Sequence, residues 1–329
     1  MKKLSLLFCT YLLTIGVANV TLSPGAFASA EMPSIVLNNE SKTDTDTVTI
    51  NTRIARIEKI GASENFQLFL LDGRIATLAQ PNNEDVRKLK NAVEEKSLVS
   101  FNIRSADHSI VSFATTESSS EIYEESELDK QLSTPRNPET FVQFDSVNLD
   151  KIINRQTMEK AFARQHESFV GLRRFIRTGP SQCFRRAHVW AYEMEKDFNI
   201  ESNKVFLMYG RRCMNGWWFH VAPYVHMRDE SGNVLEMVMD KEFFNHPAEM
   251  NNWTRKFVPE QCKVLSANQY NIYEREKRSE CCHIIKAPRF YFLPDDLDEV
   301  TSNPRNAVTG WNSLSNAYIE YYPSSGRRF

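Results

Sequence analysis

The feature that most constrains the fold is a helix followed by strands between residues 183 and 240. The helical segment begins at Cys183, after a Gly-Pro pair that stops the preceding chain, and Ser181 can cap it. Two apolar segments typical of strands follow, one containing His220 and one ending at Asp240, with the turn sequence Ser231-Gly232-Asn233 between them. This order predicts an α+β fold in which antiparallel strands bring His220 and Asp240 side by side.

These three residue types are suited to a cysteine nucleophile. A thiol attacks a carbonyl as its thiolate, and an ordinary cysteine has a pKa of about 8.5, so it needs activation. A helix N-terminus and a nearby imidazolium both favour the thiolate. We therefore expect Cys183 to attack, His220 to take and return the proton, and Asp240 to orient the imidazole. The backbone N–H of Cys183, with a neighbouring donor, is the expected oxyanion hole.

Each of the three residues also has an ordinary structural interpretation. A cysteine at a helix start is often a small buried apolar residue, a core histidine can be fully hydrogen-bonded, and an aspartate can cap a strand end. The combination favours catalysis over these alternatives. Other histidines are poorer candidates, because His188 faces another side of the Cys183 helix and His226 lies farther along the His220 strand.

Nearby charged and aromatic residues have two interpretations each. Arg185 and Arg186 are expected to face solvent or pair with acids, and a substrate contact is the alternative. Three tryptophans are expected in the core, with the wall of a substrate cleft as the alternative: Trp217, Trp218 and Trp253.

The N-terminus has the organisation of a secretory signal peptide. Lys2 and Lys3 precede a mostly apolar stretch over residues 4–20, and Ala28-Ser29-Ala30 fits a cleavage site. We predict cleavage and export, with residues 1–30 as the signal and a membrane anchor as the alternative. No later segment is apolar enough to span a bilayer. The net charge of −2 gives no electrostatic argument for a nucleic acid or an anionic membrane as partner.

Five of the six cysteines remain after signal removal, which predicts one unbridged thiol and two disulfides in an exported protein. Cys183 is the expected unbridged thiol. A bond between the adjacent Cys281 and Cys282 is strained, so we expect Cys213 and Cys262 each to pair with one of them, in either order. A zinc site formed by Cys281, Cys282 and His283 with Cys262 is the alternative, although the spacing matches no usual zinc pattern.

The composition divides the chain into a β-rich domain over residues 31–115, an acidic linker over 116–139 and a second domain over 140–329. The linker is rich in serine, glutamate and proline, a composition that resists packing and invites proteolysis. The first domain is predicted to contain a strand over 47–54, a hairpin around Asp72-Gly73, a helix over 83–96 and strands over 97–103 and 109–114. The second is predicted to contain helices over 150–176 and 183–197 and strands over 204–209, 217–227 and 234–240, with long loops over 260–329.

Three segments resemble the bacterial protein-glutaminase family: the run Cys183-Phe184-Arg185-Arg186-Ala187-His188, the run Trp218-Phe219-His220-Val221-Ala222-Pro223, and Val238-Met239-Asp240 followed by Phe243, Pro247 and Trp253. The resemblance covers residues 180–255 and implies a transglutaminase-like core, a layout that papain-like enzymes share. It implies a triad of Cys183, His220 and Asp240 that needs no metal or other cofactor. One departure is Lys241, where the family pattern leads us to expect proline.

The resemblance also implies a function. Such enzymes deamidate glutamine side chains in proteins and peptides, and they are exported as pro-enzymes whose N-terminal region covers the active site. We therefore expect a secreted monomer with glutamine-bearing protein substrates, and a protease that cuts the linker. The alternatives are a transglutaminase or cysteine peptidase of the same core, or a non-enzymatic secreted binding or adhesion protein.

Overall fold

The computed structural model describes residues 47–115, 151–170, 183–214, 216–308, 310–311 and 317. The predicted signal peptide, the acidic linker and residues 171–182, which directly precede Cys183, lie outside the described residues. Among the residues described, no helix has the length and apolar character needed to cross a membrane.

The helices of the described chain are α1 Asn83–Glu94, α2 Arg155–Val170, α3 Cys183–Phe198, α4 Met250–Phe257, α5 Tyr270–Glu276 and α6 Pro294–Ser302. The strands are β1 Thr47–Thr52, β2 Ile54–Lys59, β3 Phe66–Leu70, β4 Ile75–Leu78, β5 Val99–Arg104, β6 Ile110–Thr115, β7 Ile153–Asn154, β8 Asn203–Tyr209, β9 Phe219–Arg228, β10 Val234–Val238, β11 Ala248–Glu249, β12 Lys263–Ser266 and β13 Cys282–Pro288. Two short 3-10 helices span Ala267–Gln269 and Pro304–Asn306.

The N-terminal region, residues 47–115, consists of two three-stranded antiparallel sheets and α1. One sheet has the order β1-β5-β6 and the other β2-β3-β4. Buried and partly exposed side chains alternate along β5, as expected of a strand with one face on a core. The prediction of a single strand over residues 47–54 is wrong. Strand β1 ends at Thr52, and after Arg53 the chain continues as β2, which belongs to the other sheet.

The C-terminal region is built on a sheet with the order β11-β10-β9-β8-β13-β12, and β7 pairs with β9 beside this path. The four pairings from β11 to β13 are antiparallel, whereas β12 and β13 run parallel. Helix α3 packs against β9. The helix that begins at Cys183 is therefore followed by an antiparallel sheet, which confirms the predicted α+β class.

The prediction of long loops over residues 260–329 is wrong for residues 260–308, and most of the remainder lies outside the described residues. Strand β13 lies inside the sheet, between β8 and β12. In the chain, α5 comes after β12 and α6 comes after β13. A strand buried on both faces has no alternating pattern, so its apolar run is hard to recognise from sequence. The buried residues Cys282, His283, Ile284 and Ile285 form such a run.

Both disulfides join the cysteine pair before and in β13 to other parts of the sheet. Cys213 is bonded to Cys281, and Cys262 is bonded to Cys282. Successive side chains of an extended chain point in opposite directions, so adjacent cysteines reach different partners. Cys183 is outside both bridges. The prediction of two disulfides and one unbridged thiol among the five cysteines is confirmed.

The hairpin of β3 and β4 connects the two regions through its alternating faces. Leu68 and Leu70 belong to the core of the N-terminal region, whereas Phe69 and Ile75 belong to the apolar cluster of the C-terminal region. Trp218 packs edge-on against Phe69, with ring centroids 6.2 Å apart. The hairpin is thus shared between two cores.

Backbone hydrogen bonds continue this junction at the hairpin turn. The Trp218 N–H donates to the Gly73 carbonyl at 3.0 Å, and the Ile75 N–H donates to the Gly216 carbonyl at 2.8 Å. Gly73 has a φ of +96°, and a Cβ there would lie 3.3 Å from the Trp217 ring. Glycine at position 73 therefore allows both the positive φ of the turn and the close approach of the Trp217 ring.

Candidate active site

Cys183 is the first residue of α3, and its side chain is only 2% exposed. The first N–H groups of a helix have no acceptor within the helix, and their dipoles favour negative charge close by. The surrounding apolar cluster includes Phe184, Trp218 and Phe219. The thiol is thus placed where a helix N-terminus stabilises its anion and water has little access.

His220 and Asp240 are brought together by the pairing of β9 with β10. Val238 lies opposite Tyr224, and the Met239 N–H donates to the Pro223 carbonyl at 2.8 Å, which extends the pairing past the end of β10. Asp240 is the next residue. His220 Nε2–H donates to Asp240 Oδ2 at 2.7 Å, and both side chains are buried.

The proton affinity of His220 depends on its two partners. Burial lowers its pKa, but the Asp240 carboxylate, with a hydrogen bond from His220 to it, and Cys183 raise it more, from 6.5 to about 9. Because Asp240 occupies Nε2, Nδ1 is the ring nitrogen that remains for Cys183. The structure therefore brings all three predicted residues together, with the histidine in the middle.

The carboxylate of Asp240 stays ionised despite its burial. Burial raises the pKa of Asp240, but the His220 charge, hydrogen bonds from His220 and Trp253, and the Arg186 charge lower it below its ordinary value. An ionised carboxylate beside an imidazole stabilises the imidazolium form. The site can therefore hold a proton on His220 at neutral pH.

Aromatic rings surround the imidazole of His220. Trp253 is nearly parallel to it, with centroids 5.8 Å apart, and Phe257 lies at 4.8 Å. Phe243 approaches edge-on at 5.2 Å and is 42% exposed, so it forms the open wall of the site. The prediction of Trp253 as core holds for its burial, but sequence analysis missed its hydrogen bond to Asp240, which no local pattern signals.

The two arginines that follow the cysteine differ from each other. Arg186 was expected to face solvent or to pair with acids; it is buried rather than facing solvent, and its charge lowers the pKa of the Asp240 carboxyl. Arg185 is partly buried with its guanidinium over the Phe184 ring. Burial raises the pKa of Asp72 in the hairpin turn, and Arg185 is among the cations that oppose this shift.

The other histidines weighed from the sequence lie in separate environments. His188 is buried on α3, and its Nδ1 is 2.6 Å from Lys204 Nζ. His226 Nε2 is 3.7 Å from Glu236 Oε1, farther along β9. His188 packs against the rings of Phe292 and Trp311, whereas the histidine hydrogen-bonded to Asp240 is His220.

The cysteines considered for zinc all have disulfide partners. Cys213, Glu260 and Cys281 lie close enough to one another to suggest a metal group, but both sulfurs are in the Cys213–Cys281 bond. Cys262 and Cys282 form the second bond. A cysteine binds zinc as its thiolate, which these bridged sulfurs do not offer.

Comparisons with known proteins identify the region that holds this site. Residues 158–257 match a family model described as a glutaminase. The crystal structure of pro-protein-glutaminase is similar to this chain with a TM-score of 0.47 and 14% identity, over 82% of this chain and 90% of that one. The NMR structure of protein-glutaminase from Chryseobacterium proteolyticum has a TM-score of 0.34 and 18% identity, over 52% of this chain and 86% of that one. No curated protein matches the chain.

The family match spans the elements that carry the three clustered side chains. It begins within α2 and ends at the last residue of α4, so it contains α3, β9 and the end of β10. Residues 158–257 are therefore similar to a glutaminase family, and Cys183, His220 and Asp240 all lie within the matched residues.

Proposed function

We propose that the chain is a secreted protein-glutamine deamidase, made as an inhibited pro-enzyme, that works through a thioester on Cys183. The observation that carries the proposal is the 2.7 Å bond between His220 and Asp240 beside the buried thiol, inside the family match. The substrate is a glutamine side chain in a protein or peptide. The products are glutamate and ammonia.

In the first half of the reaction, the Cys183 thiolate attacks the carboxamide carbon and the carbon–nitrogen bond breaks. His220 gives its proton to the departing nitrogen, which leaves as ammonia. A pKa of about 9 keeps His220 protonated for this step at neutral pH. The N–H groups at the start of α3 are suited to stabilise the oxyanion.

In the second half, water cleaves the thioester. His220, now neutral, removes a proton from the water as it attacks the acyl carbon, and the sulfur leaves as the thiolate. Asp240 holds Nε2 throughout, so the same Nδ1 faces the reacting atoms in both halves. The cycle returns the thiolate and the imidazolium and needs no cofactor.

The pro-enzyme part of the proposal rests on the hairpin turn. Its backbone bonds reach Gly216 and Trp218, directly before β9, and Cys183, which is 2% exposed, belongs to the same buried apolar cluster as Phe69 and Ile75 of the hairpin. Ion pairs also cross the junction, among them Arg56 with Glu274 at 3.3 Å and Glu58 with Lys277 at 3.3 Å. A substrate needs this surface to reach Cys183, so removal of residues 31–115 by a linker-cutting protease is expected to activate the enzyme.

The test is ammonia release from benzyloxycarbonyl-Gln-Gly by linker-cleaved protein, with Cys183→Ala in parallel and free glutamine as a second substrate. Cys183-dependent ammonia from the peptide, with the mass change of an amide-to-acid conversion, supports the proposal. Peptide cleavage or incorporation of an added amine would instead indicate a peptidase or a transglutaminase. If Cys183 also resists iodoacetamide in the cleaved protein, the binding-protein alternative gains.

A further inference from the structure

Trp253 is a second hydrogen-bond donor to the carboxylate that holds His220. Its indole Nε1–H donates to Asp240 Oδ2 at 2.8 Å, the same oxygen that accepts from His220 Nε2 at 2.7 Å. Trp253 is fully buried, and Asp240 is 2% exposed. The indole N–H of Trp253 therefore donates to the same carboxylate oxygen that accepts the hydrogen bond from His220.

Burial makes this bond consequential. A carboxylate withdrawn from water requires donors within the protein, and each one it lacks is costly. Asp240 Oδ2 has these two donors, which together fix the direction in which the oxygen points. If the indole N–H were absent, the carboxylate could rotate and still bond His220, but with a different imidazole orientation.

The indole ring also limits the imidazole itself. The two rings are 27° from parallel with centroids 5.8 Å apart, so the tryptophan face backs His220. Phe257, one helical turn further along α4, packs on both rings. One side chain therefore restrains the carboxylate through its N–H and the imidazole through its face.

The backbone explains why Trp253 reaches this position. Strand β10 runs directly into Asp240, and β11 pairs with β10 through Val238 and Ala248. Helix α4 starts at Met250, immediately after β11. The strand that leads to Asp240 is thus also paired with the strand that precedes the helix of Trp253, which holds the two side chains on connected backbone.

We propose that Trp253 is a positioning residue: its indole N–H sets the Asp240 carboxylate so that His220 presents Nδ1 to Cys183. The catalytic consequence of this alignment rests on the proposed function, whereas the alignment of Asp240, His220 and Cys183 itself does not depend on the substrate. Trp253 has no direct part in bond making. Its effect is exerted through Asp240 and His220.

Two variants of the full chain, cut in its linker before assay, test the proposal. Trp253→Phe removes the N–H and some ring volume. Replacement of Trp253 by β-(3-benzothienyl)alanine keeps the bicyclic shape and exchanges the N–H for sulfur. Trp311→Phe is the matched control, because Trp311 is a buried tryptophan that packs on His188 and Phe290, away from Asp240. Thermal unfolding checks that each protein is folded.

Both Trp253 variants are expected to lower kcat about tenfold, as for a lost hydrogen bond to a charged group, with KM changed less than about twofold. The apparent pKa on the acid side of the plot of kcat against pH should rise by roughly half a unit to one unit. The reason is that the Asp240 carboxylate, and the His220 imidazolium that it supports, are less stabilised. Cavity formation alone would lower stability in Trp253→Phe and would leave the profile of the benzothienyl variant unchanged.

A second readout separates this inference from the proposed function. The rate of Cys183 alkylation by iodoacetamide, followed against pH without substrate, reports the thiolate and needs no deamidation. If wild-type protein releases no ammonia but both Trp253 variants shift the alkylation profile upward, the positioning role stands and the function fails. If wild-type protein is active and the benzothienyl variant matches Trp311→Phe in both profiles, the positioning role is overturned.

Discussion

At the scale of single residues, the 2.7 Å contact between His220 and Asp240 sets the charge state of the site. An isolated buried histidine would lose its proton more readily than one in water, because burial disfavours the charged form. Here the neighbouring carboxylate and thiol outweigh burial and raise the pKa of His220 to about 9. In the proposed reaction, this imidazolium donates the proton to the leaving nitrogen and its charge stabilises the thiolate.

The first prediction follows from this pKa. Asp240→Asn keeps the side-chain shape but removes the charge, so the pKa of His220 should fall below 6.5, because burial then acts with less opposition. NMR titration of the histidine ring signals, assigned with His220→Gln, measures the change. We expect ammonia release at neutral pH to fall at least about a hundredfold. An unaltered titration would mean that Asp240 does not set the charge of His220.

The second prediction is the pH dependence of stability. The pKa of His220 is raised in the folded protein from 6.5 to about 9, so its contribution to stability is complete below pH 6.5 and is lost as the pH rises to about 9. The free energy of unfolding in urea should decline over that interval. His220→Gln should flatten the decline, whereas substitution of the distant His246 to Gln should leave it in place.

At the scale of elements, the alternating side chains of the β3–β4 hairpin pack on two different cores. Leu68 and Leu70 face the N-terminal core, and Phe69 faces the C-terminal core. The Asp72-Gly73 turn was predicted from the sequence as a hairpin signal, and the strands on either side of it are present. Its contact with Trp217 and Trp218 was not predictable, because it depends on segments far away in the chain.

The third prediction concerns Gly73. Gly73→Ala should strain the turn, where φ is +96°, and press a Cβ toward the Trp217 ring at 3.3 Å. If the hairpin inhibits, the uncut variant should release ammonia faster than the uncut wild type. Gly61→Ala is the matched control, because Gly61 also has a positive φ, +53°, with no atom within 4 Å of the added Cβ. Equal activity of the two uncut variants would argue against the turn as the inhibitory contact.

At the scale of the whole molecule, two disulfides hold the sheet that carries the site. Cys213–Cys281 closes a separation of 68 residues, which includes β9, β10 and α4. Cys262–Cys282 closes a separation of 20 residues. Both bridges end at the start of β13, so they tie an interior strand to the segments on either side of it.

The fourth prediction compares these bridges. Loop-closure entropy predicts a loss of about 4 kcal/mol in unfolding free energy for Cys213→Ser with Cys281→Ser, and about 3 kcal/mol for Cys262→Ser with Cys282→Ser. Urea unfolding of the two double variants against the wild type measures both values. A larger loss from the shorter loop would indicate that packing around the sulfurs, rather than chain entropy, dominates.

The sequence by itself determined which side chains form the candidate site and the order in which they occur along the chain. Cys183 follows a stop signal and begins a helix, and His220 and Asp240 occupy apolar strands joined by a turn, because local pattern controls such elements. The odd number of cysteines after residues 1–30, taken with the prediction of export, was enough to separate Cys183 from the bridged four. Each of these predictions depends only on residues close together in the sequence or on the number of cysteines.

Only the tertiary structure decided the partners. The bond of Trp253 to Asp240, the burial of Arg186, the place of β13 within the sheet and the choice of Cys281 for Cys213 each join residues distant in sequence. Such contacts depend on the order of strands in the sheet, and that order results from packing the whole core rather than from the pattern of any one segment.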